Sequence, residues 1–286
     1  MPRFSPPTPR SRRLGRALKK LRTARERDLS LEKAAALIAS SPARLSRIES
    51  GEIKARPGDV MEILVAYELS VDSEPGASLI EMARQLRETA WWSHLDQLPN
   101  KYVTFIAYEA EAALLRNFEP LLVPGLLQTE DYARAVSSVG READEPGIDQ
   151  RVTTRLRRQQ VLHRRPAPLK FHAIVSEAAL HCEVGDRDVL RQQLRHIANV
   201  SRLSNVTVQV LPFAAGAELA DRHGFAILTF EREDPTLGYT EMLTGQQLLS
   251  GAQEVARLDA TYDHLRKLAL SPAESASLIR KRADQI

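Results

Sequence analysis

Residues 29–51 read LSLEKAAALIASSPARLSRIESG, two short helical segments separated by a run of small residues. Two helices joined by a three-residue turn cross steeply only if small side chains line the corner. Ala35 stands where the first of the two must approach the second, and Ala39 with Ser40 keeps the turn small. Ser30 is placed to cap residues 31–38, and Ser41 to cap the segment that follows. Pro42 takes its first position, where a missing N–H costs nothing. Gly51 supplies the stop just beyond Glu49 and Ser50.

Within 41–49, Leu45 and Ile48 lie at i, i+3 and face inward, which leaves Ala43, Arg44, Ser46 and Arg47 on the opposite face. Such a face suits the major groove of DNA. Small residues at the helix start permit close approach, and the arginine fork can pair bidentately with guanine. Segment 41–49 is therefore expected to be a recognition helix. Ser41, Pro42, Ala43, Arg44, Ser46 and Arg47, flanked by Arg13 and Lys54, form the candidate DNA-contacting set. Ten of the residues before position 30 are Lys or Arg (3, 10, 12, 13, 16, 19, 20, 22, 25 and 27), against the acids Glu26 and Asp28. A local excess of this kind is the footprint of a phosphate-binding surface. The alternative is an ordinary helical hairpin with a solvated arginine face and a solvated basic tail. The agreement of cap, turn, inward pair and basic flank favours DNA.

Four prolines at 2, 6, 7 and 9 mark residues 1–13 as a disordered basic arm. Residues 14–70 carry the helix-turn-helix pattern, including Leu14, Ala17, Leu18 and Leu21 in a first helix and a fourth helix opened by Pro57. Residues 71–76 (VDSEPG) read as a hinge. A longer helix over 77–98, ending in Trp91-Trp92, makes 71–104 a linker with a connecting helix. Helical stretches follow at 105–117, 129–139, 149–163 and 189–203. Short, partly alternating stretches at 169–176, 206–211, 225–230 and 239–243 read as strands. Two helices, 253–268 and 272–284, close the chain. The expected fold is a mainly α N-terminal helix-turn-helix domain of five short helices, followed by an α+β (mixed α/β) domain over 105–286.

On these residues the head resembles the helix-turn-helix domain of the XRE (Cro/repressor) family. The stretch Arg44-Leu45-Ser46-Arg47-Ile48-Glu49-Ser50-Gly51 is close to that family's recognition-helix ending. The resemblance implies a five-helix head that reads DNA with its third helix. Where that family often has Gln, at the start of the second helix, this chain has Leu31. Ala39 replaces the turn glycine and must adopt that glycine's backbone conformation. The body is similar to the C-terminal domain of actinobacterial WhiJ-like, antitoxin-like regulators. The resemblance runs over Phe118-Glu119-Pro120, 123–129 (VPGLLQT), 132–135, 155–162 (RLRRQQVL), 208–213 and Ala269-Leu270-Ser271-Pro272 with Ser275. It implies a developmental or stress regulator, often paired with a small protein encoded nearby, and it names no ligand.

Segment 123–129 can shape a ligand pocket or simply close onto the core as a loop and N-cap. Arg151, Arg155 and Arg158 share one helical face that can meet an anion or a partner, or stay solvated. Pro124, Gly125, Gln128, Arg155 and Arg158 are the candidate ligand or partner residues, for a small protein or a small-molecule effector. Trp91-Trp92 can stack on a ligand or pack between helices. The run His181-Cys182-Glu183 holds three ligand-type side chains, but neighbours in sequence point apart, so no metal site is expected there. Cys182 is the chain's single cysteine and allows no internal disulfide, which fits a reducing cytoplasm. No catalytic motif, cofactor fingerprint or membrane-length apolar run is present. The expectation is a cytoplasmic, non-enzymatic regulator without cofactor that binds double-stranded DNA as a homodimer, because one small head contacts few bases.

Overall fold

A computed structural model describes residues 7–24, 26–86, 91–95, 98–139, 147–219, 223–231, 234–242 and 244–286. The chain divides into two compact units, Met1–Glu111 and Ala112–Ile286.

The first unit is helical: α1 (Pro9–Arg22), α2 (Leu31–Leu37), α3 (Pro42–Glu49), α4 (Pro57–Ala66), α5 (Glu74–Gln85) and α6 (Asn100–Glu111). Its core is built from Leu14 and Leu18 of α1, Ala34 and Ala35 of α2, Leu45 and Ile48 of α3, and Val60, Ile63 and Leu64 of α4. α1 starts inside the segment expected to be a disordered arm. Thr8 and Ser11 cap one another reciprocally, the Thr8 amide donating to Ser11 Oγ at 2.9 Å, and Pro9 occupies the first helical position. The proline read as a helix breaker is thus a helix starter, and residues 9–13 are helical; residues 1–6 lie outside the described part. The expected hinge at 71–76 is corrected in the same way. Ser73 caps α5, Pro75 sits in its first turn, and Gly76 is there because the Ser70 carbonyl would stand 2.5 Å from any Cβ. α5 ends at Gln85, short of the expected 98, and packs Leu79, Ile80 and Ala83 into the head core. Trp91 and Trp92 meet edge to face in a separate 3-10 turn.

The second unit is an α+β body around one six-stranded mixed sheet in the order β3-β2-β1-β4-β5-β6. The strands are β1 (Leu114–Glu119), β2 (Lys170–Ser176), β3 (Val206–Leu211), β4 (Phe225–Thr229), β5 (Leu237–Met242) and β6 (Gly245–Leu249). β1, β2 and β3 run parallel, and β4 turns the remainder of the sheet antiparallel. α7 (Glu130–Ser138) and α8 (Ile148–Arg158) link β1 to β2, and α9 (Arg187–Val200) links β2 to β3. The chain closes with α10 (Ala252–Leu268) and α11 (Pro272–Asp284).

The helix expected over 105–117 is corrected: it stops at Glu111, and 114–119 is strand β1, between β2 and β4. Its sequence, LLRNFE, conceals this because half of its residues are polar, each with its own partner in the interior. Arg116 Nη2 donates to Asp259 of α10 at 2.6 Å, and Asn117 Nδ2 to the Phe225 carbonyl at 2.9 Å. The period of two puts Arg116 and Phe118 on the α10 face, where Phe118 joins Ile174, Phe225, Ile227, Tyr262 and Leu265. Asn117 and Glu119 therefore point to the opposite face. The edge of β3 is sealed by the chain's end: Leu270 N donates to the Val210 carbonyl, and Ser275 Oγ accepts from the Val210 amide, both at 2.9 Å. That gives Ser271-Pro272 and Ser275 a structural role.

Candidate nucleic-acid interface

The helix-turn-helix is assembled locally. Ser30 Oγ accepts from Lys33 N at 3.3 Å and Ser41 Oγ from Arg44 N at 3.2 Å, fixing the starts of α2 and α3. Ala39 sits in the turn at φ +46°, the left-handed region expected of a glycine at that place. Ala39→Gly is accordingly expected to stabilise the head by about 1 kcal/mol, since relief of that strain exceeds the entropy glycine adds to the unfolded chain. Thermal melting should show an upward shift of roughly 4 °C; an unchanged or lower midpoint would contradict the turn geometry.

Ser41, Pro42, Ala43, Ser46 and Arg47 form an exposed surface on α3, with Leu45 and Ile48 fully inward. Arg47 is the most open arginine of the set, with Glu52 3.4 Å from its Nε. Arg44 is half-buried, and its Nη2 donates to Asp59 Oδ1 at 2.8 Å. The other oxygen of Asp59 accepts from Arg56 N, so Arg44 braces α3 against the start of α4 as well as facing outward. The Arg44 guanidinium and these hydrogen bonds hold the Asp59 carboxyl below its usual range against the opposing effect of burial.

The other two candidates are drawn towards the protein. Lys54 is half-buried, and burial lowers the affinity of its ammonium for a proton. It lies within electrostatic reach of Glu111, as does Arg13. Glu111 accepts from the Arg10 amide at 2.9 Å in the first turn of α1, and burial raises its carboxyl above the usual range. The basic excess before residue 30 is likewise partly structural. Arg22 is buried on Glu49, Arg27 Nε donates to the Tyr67 carbonyl at 2.7 Å, and Arg12 lies 5.6 Å over the Tyr108 ring. Arg10, Arg16, Lys19 and Lys20 remain exposed, while Arg3 and Arg25 lie outside the described residues.

In the body the structure brings the five ligand candidates to one place. Thr129 caps α7, and the segment before it closes onto α8: Gln128 Nε2 donates to the Val123 carbonyl at 2.7 Å, and Arg155 Nη1 to Gln128 Oε1 at 2.9 Å. Gly125, following Pro124, faces the side chains of Arg155 and Arg158; a Cβ there would stand 3.4 Å from Arg158 Nη1. Arg158 is buried and Arg155 half-buried, so the solvated-face alternative for these two is corrected. Sequence reasoning missed Glu119 as a member of this site. Asn117 Nδ2 donates to Glu119 Oε1 at 3.3 Å, and Glu119 lies within electrostatic reach of both arginines and of Tyr132. The available signal was Asn-x-Glu before Pro120, which places both polar groups on one face once the segment is read as a strand.

His181 packs against Phe213 with ring centroids 5.7 Å apart, and Cys182 is a half-buried free thiol. Among the described residues no cluster of three or more metal-ligating side chains occurs, and no helix is long and apolar enough to cross a membrane.

Compared with known proteins, residues 13–75 match a helix-turn-helix domain, which supports DNA binding by the first unit. No curated protein and no solved structure matches the chain. Residues 102–281 match a domain of unknown function, DUF5753, over well more than half of the sequence. The chain therefore belongs to the DUF5753 family, with a helix-turn-helix head preceding that domain.

Proposed function

We propose that this protein is a sequence-specific transcription regulator of the XRE type, reading the major groove with α3. The observation that carries the reading is the surface of α3: small residues Ser41, Pro42, Ala43 and Ser46 around an outward Arg47, over a fully buried Leu45 and Ile48. Small side chains let the helix axis approach the base edges, and Arg47 can reach a guanine. Lys33, exposed on α2, is placed as a phosphate contact, because the first helix of such a pair crosses the DNA backbone. The protein acts as a homodimer on a palindromic site, has no catalytic role, and carries in its body the module that sets its response. The body's likeness to WhiJ-like, antitoxin-like regulators supports a regulatory role for it, and the enclosure of Arg155 and Arg158 against segment 123–128 favours a small molecule as the signal over a protein partner.

The test is selection of bound duplexes from a random pool, followed by titration of the winner against scrambled DNA at physiological salt. A palindromic winner bound about 10³-fold or more above scrambled DNA is expected. Arg47→Ala should lose about 1–3 kcal/mol of discrimination at one base pair of each half-site. Lys33→Ala should weaken binding to every duplex alike and reduce the salt slope by about 1. Equal effects of the two changes on every sequence would exclude α3 as the reader.

A further inference from the structure

The two edges of the body's sheet are finished differently. The β3 edge is closed by the chain itself, the Val210 carbonyl and amide being taken up by Leu270 and Ser275. β6, Gly245–Leu249, is the other edge, and among the described residues it pairs with β5 alone. Its residues run from half-buried to exposed, Gly245 and Gln247 being the exposed ones. A free edge presents unpaired amides and carbonyls to any strand that arrives, and sheets usually guard against this with lysine, proline or a bulge. GQQLL has neither charge nor proline, and its register with β5 is unbroken from Gly245 to Leu249. From Met242 to Gln253 the chain carries no charged side chain. Glu241, the nearest acid on β5, accepts from Gln246 Nε2 at 3.1 Å. Gly245 contributes room, with nothing within 4 Å of where a Cβ would stand.

We propose that β6 is the edge through which two copies of this chain associate, β6 of one pairing antiparallel with β6 of the other to make one continuous sheet. This inference rests on the homodimer reading and gives that dimer its surface. An antiparallel pair of identical strands is two-fold symmetric, the symmetry that a palindromic site requires. With the axis at Gln247, the middle of the strand, all five residues find a partner: Gln246 faces Leu248 of the second copy, and Leu249 faces its Gly245. Gly245 and Leu249 share one face of the strand, so the leucine of each copy comes to lie over the bare glycine of the other. No like charges meet along the pair. An acidic or basic partner would find no opposite charge here, which is why an uncharged second edge is the occupant that fits. Five residues a side are few beside the roughly 20–30 of a stable complex, so the free dimer is weak. Two half-sites on one duplex supply the effective concentration that completes it.

The test uses the full chain without DNA, which separates it from the question of whether α3 reads a sequence. Sedimentation equilibrium over about 1 μM to 1 mM should show reversible dimerisation, with a dissociation constant of micromolar order or weaker. Gln247→Lys and Gln247→Glu each set like charges face to face on the axis. Each should weaken association about tenfold or more with an unchanged circular-dichroism spectrum, since Gln247 is exposed. An equimolar mixture of the two should recover the dimer, a rescue that a folding defect cannot produce. Gln247→Cys in a Cys182→Ser background should lock as a disulfide-linked dimer on mild oxidation, whereas Arg187→Cys, exposed on α9, should not. A dimer that neither charge change weakens and that Gln247→Cys does not lock would overturn the proposal and leave the homodimer reading standing. A chain that stays monomeric at every concentration and does not cross-link would overturn both, leaving the β6 edge to a strand of another protein.

Discussion

Glu49→Ala is expected to unfold the first unit under conditions in which the unaltered chain is folded. Glu49 closes α3, and its position at the end of the proposed recognition helix invites a DNA-contacting role. The structure places it instead in the interior. Its two oxygens accept from Arg22 Nε at 2.7 Å and Nη2 at 2.9 Å, while Arg22 Nη1 donates to the Leu29 carbonyl at 2.7 Å. Both side chains are more than nine-tenths buried. The hydrogen bonds that it donates to Glu49 hold the Arg22 guanidinium even more firmly protonated than usual, so removal of the carboxylate strands a charge that cannot be shed. A single truncation of such a pair costs about 3–5 kcal/mol, a large share of the roughly 5–15 kcal/mol that holds a domain together. Trp91 and Trp92 are the chain's two tryptophans and both lie in the first unit, so their fluorescence in a urea titration follows this transition. The double change Arg22→Met with Glu49→Leu should recover most of the loss, because an apolar pair of similar volume replaces the ions without stranding either. A Glu49→Ala protein of near-normal stability that lost only DNA discrimination would reverse the assignment and make Glu49 a reader.

The difference between what was legible in the sequence and what was not follows the range of the interactions. Ser30, Ser41, Pro42 and Gly51 act within one turn of their own helices, so the two helices of the motif and its outward face could be read directly. α11 was legible for the same reason, through Ser271-Pro272 and the Glu274 that returns to the Ser271 amide. Pro9 and Pro75 misled because the same ring stops a helix from inside and starts one from its first turn. Only the preceding Thr8 and Ser73 distinguish the cases. β1 was hidden for a different reason: its polar residues depend on partners as distant in sequence as Asp259 and Phe225. β6 was missed as well, since GQQLL pairs only with its hairpin partner β5 and shows no clean alternation. Arg22 read as one more phosphate contact because Glu49 lies 27 positions away. In the body, Gln128 and the arginines could be nominated from 123–129 and the spacing of α8, but Glu119 could not, because it comes into view only once 114–119 is read as a strand.

Gly15→Ala is the second substitution expected to be severe, and local reasoning predicts the opposite sign. Gly15 lies inside α1, where alanine is favoured over glycine by about 1 kcal/mol on propensity alone. Yet a Cβ at this position would stand 2.3 Å from the Glu49 carbonyl oxygen and 2.5 Å from that of Ile48. These are backbone atoms of α3, and no rotamer change can move them aside. The two helices must separate, which loosens Leu14 and Leu18 against Leu45 and Ile48 and pulls Arg22 away from Glu49. Overpacking of this kind costs typically 1–3 kcal/mol, and with the ion pair disturbed a loss near the top of that range, about 3 kcal/mol, is expected. Gly58→Ala is the matched control. It lies in the first turn of α4 with nothing within 4 Å of a new Cβ, so it should stabilise the same unit by a few tenths to about 1 kcal/mol. Opposite signs for two identical substitutions in one unit separate close helix packing from propensity. If Gly15→Ala stabilised the protein as Gly58→Ala does, α1 could not lie against the end of α3, and the buried Arg22–Glu49 pair would have to be abandoned with it.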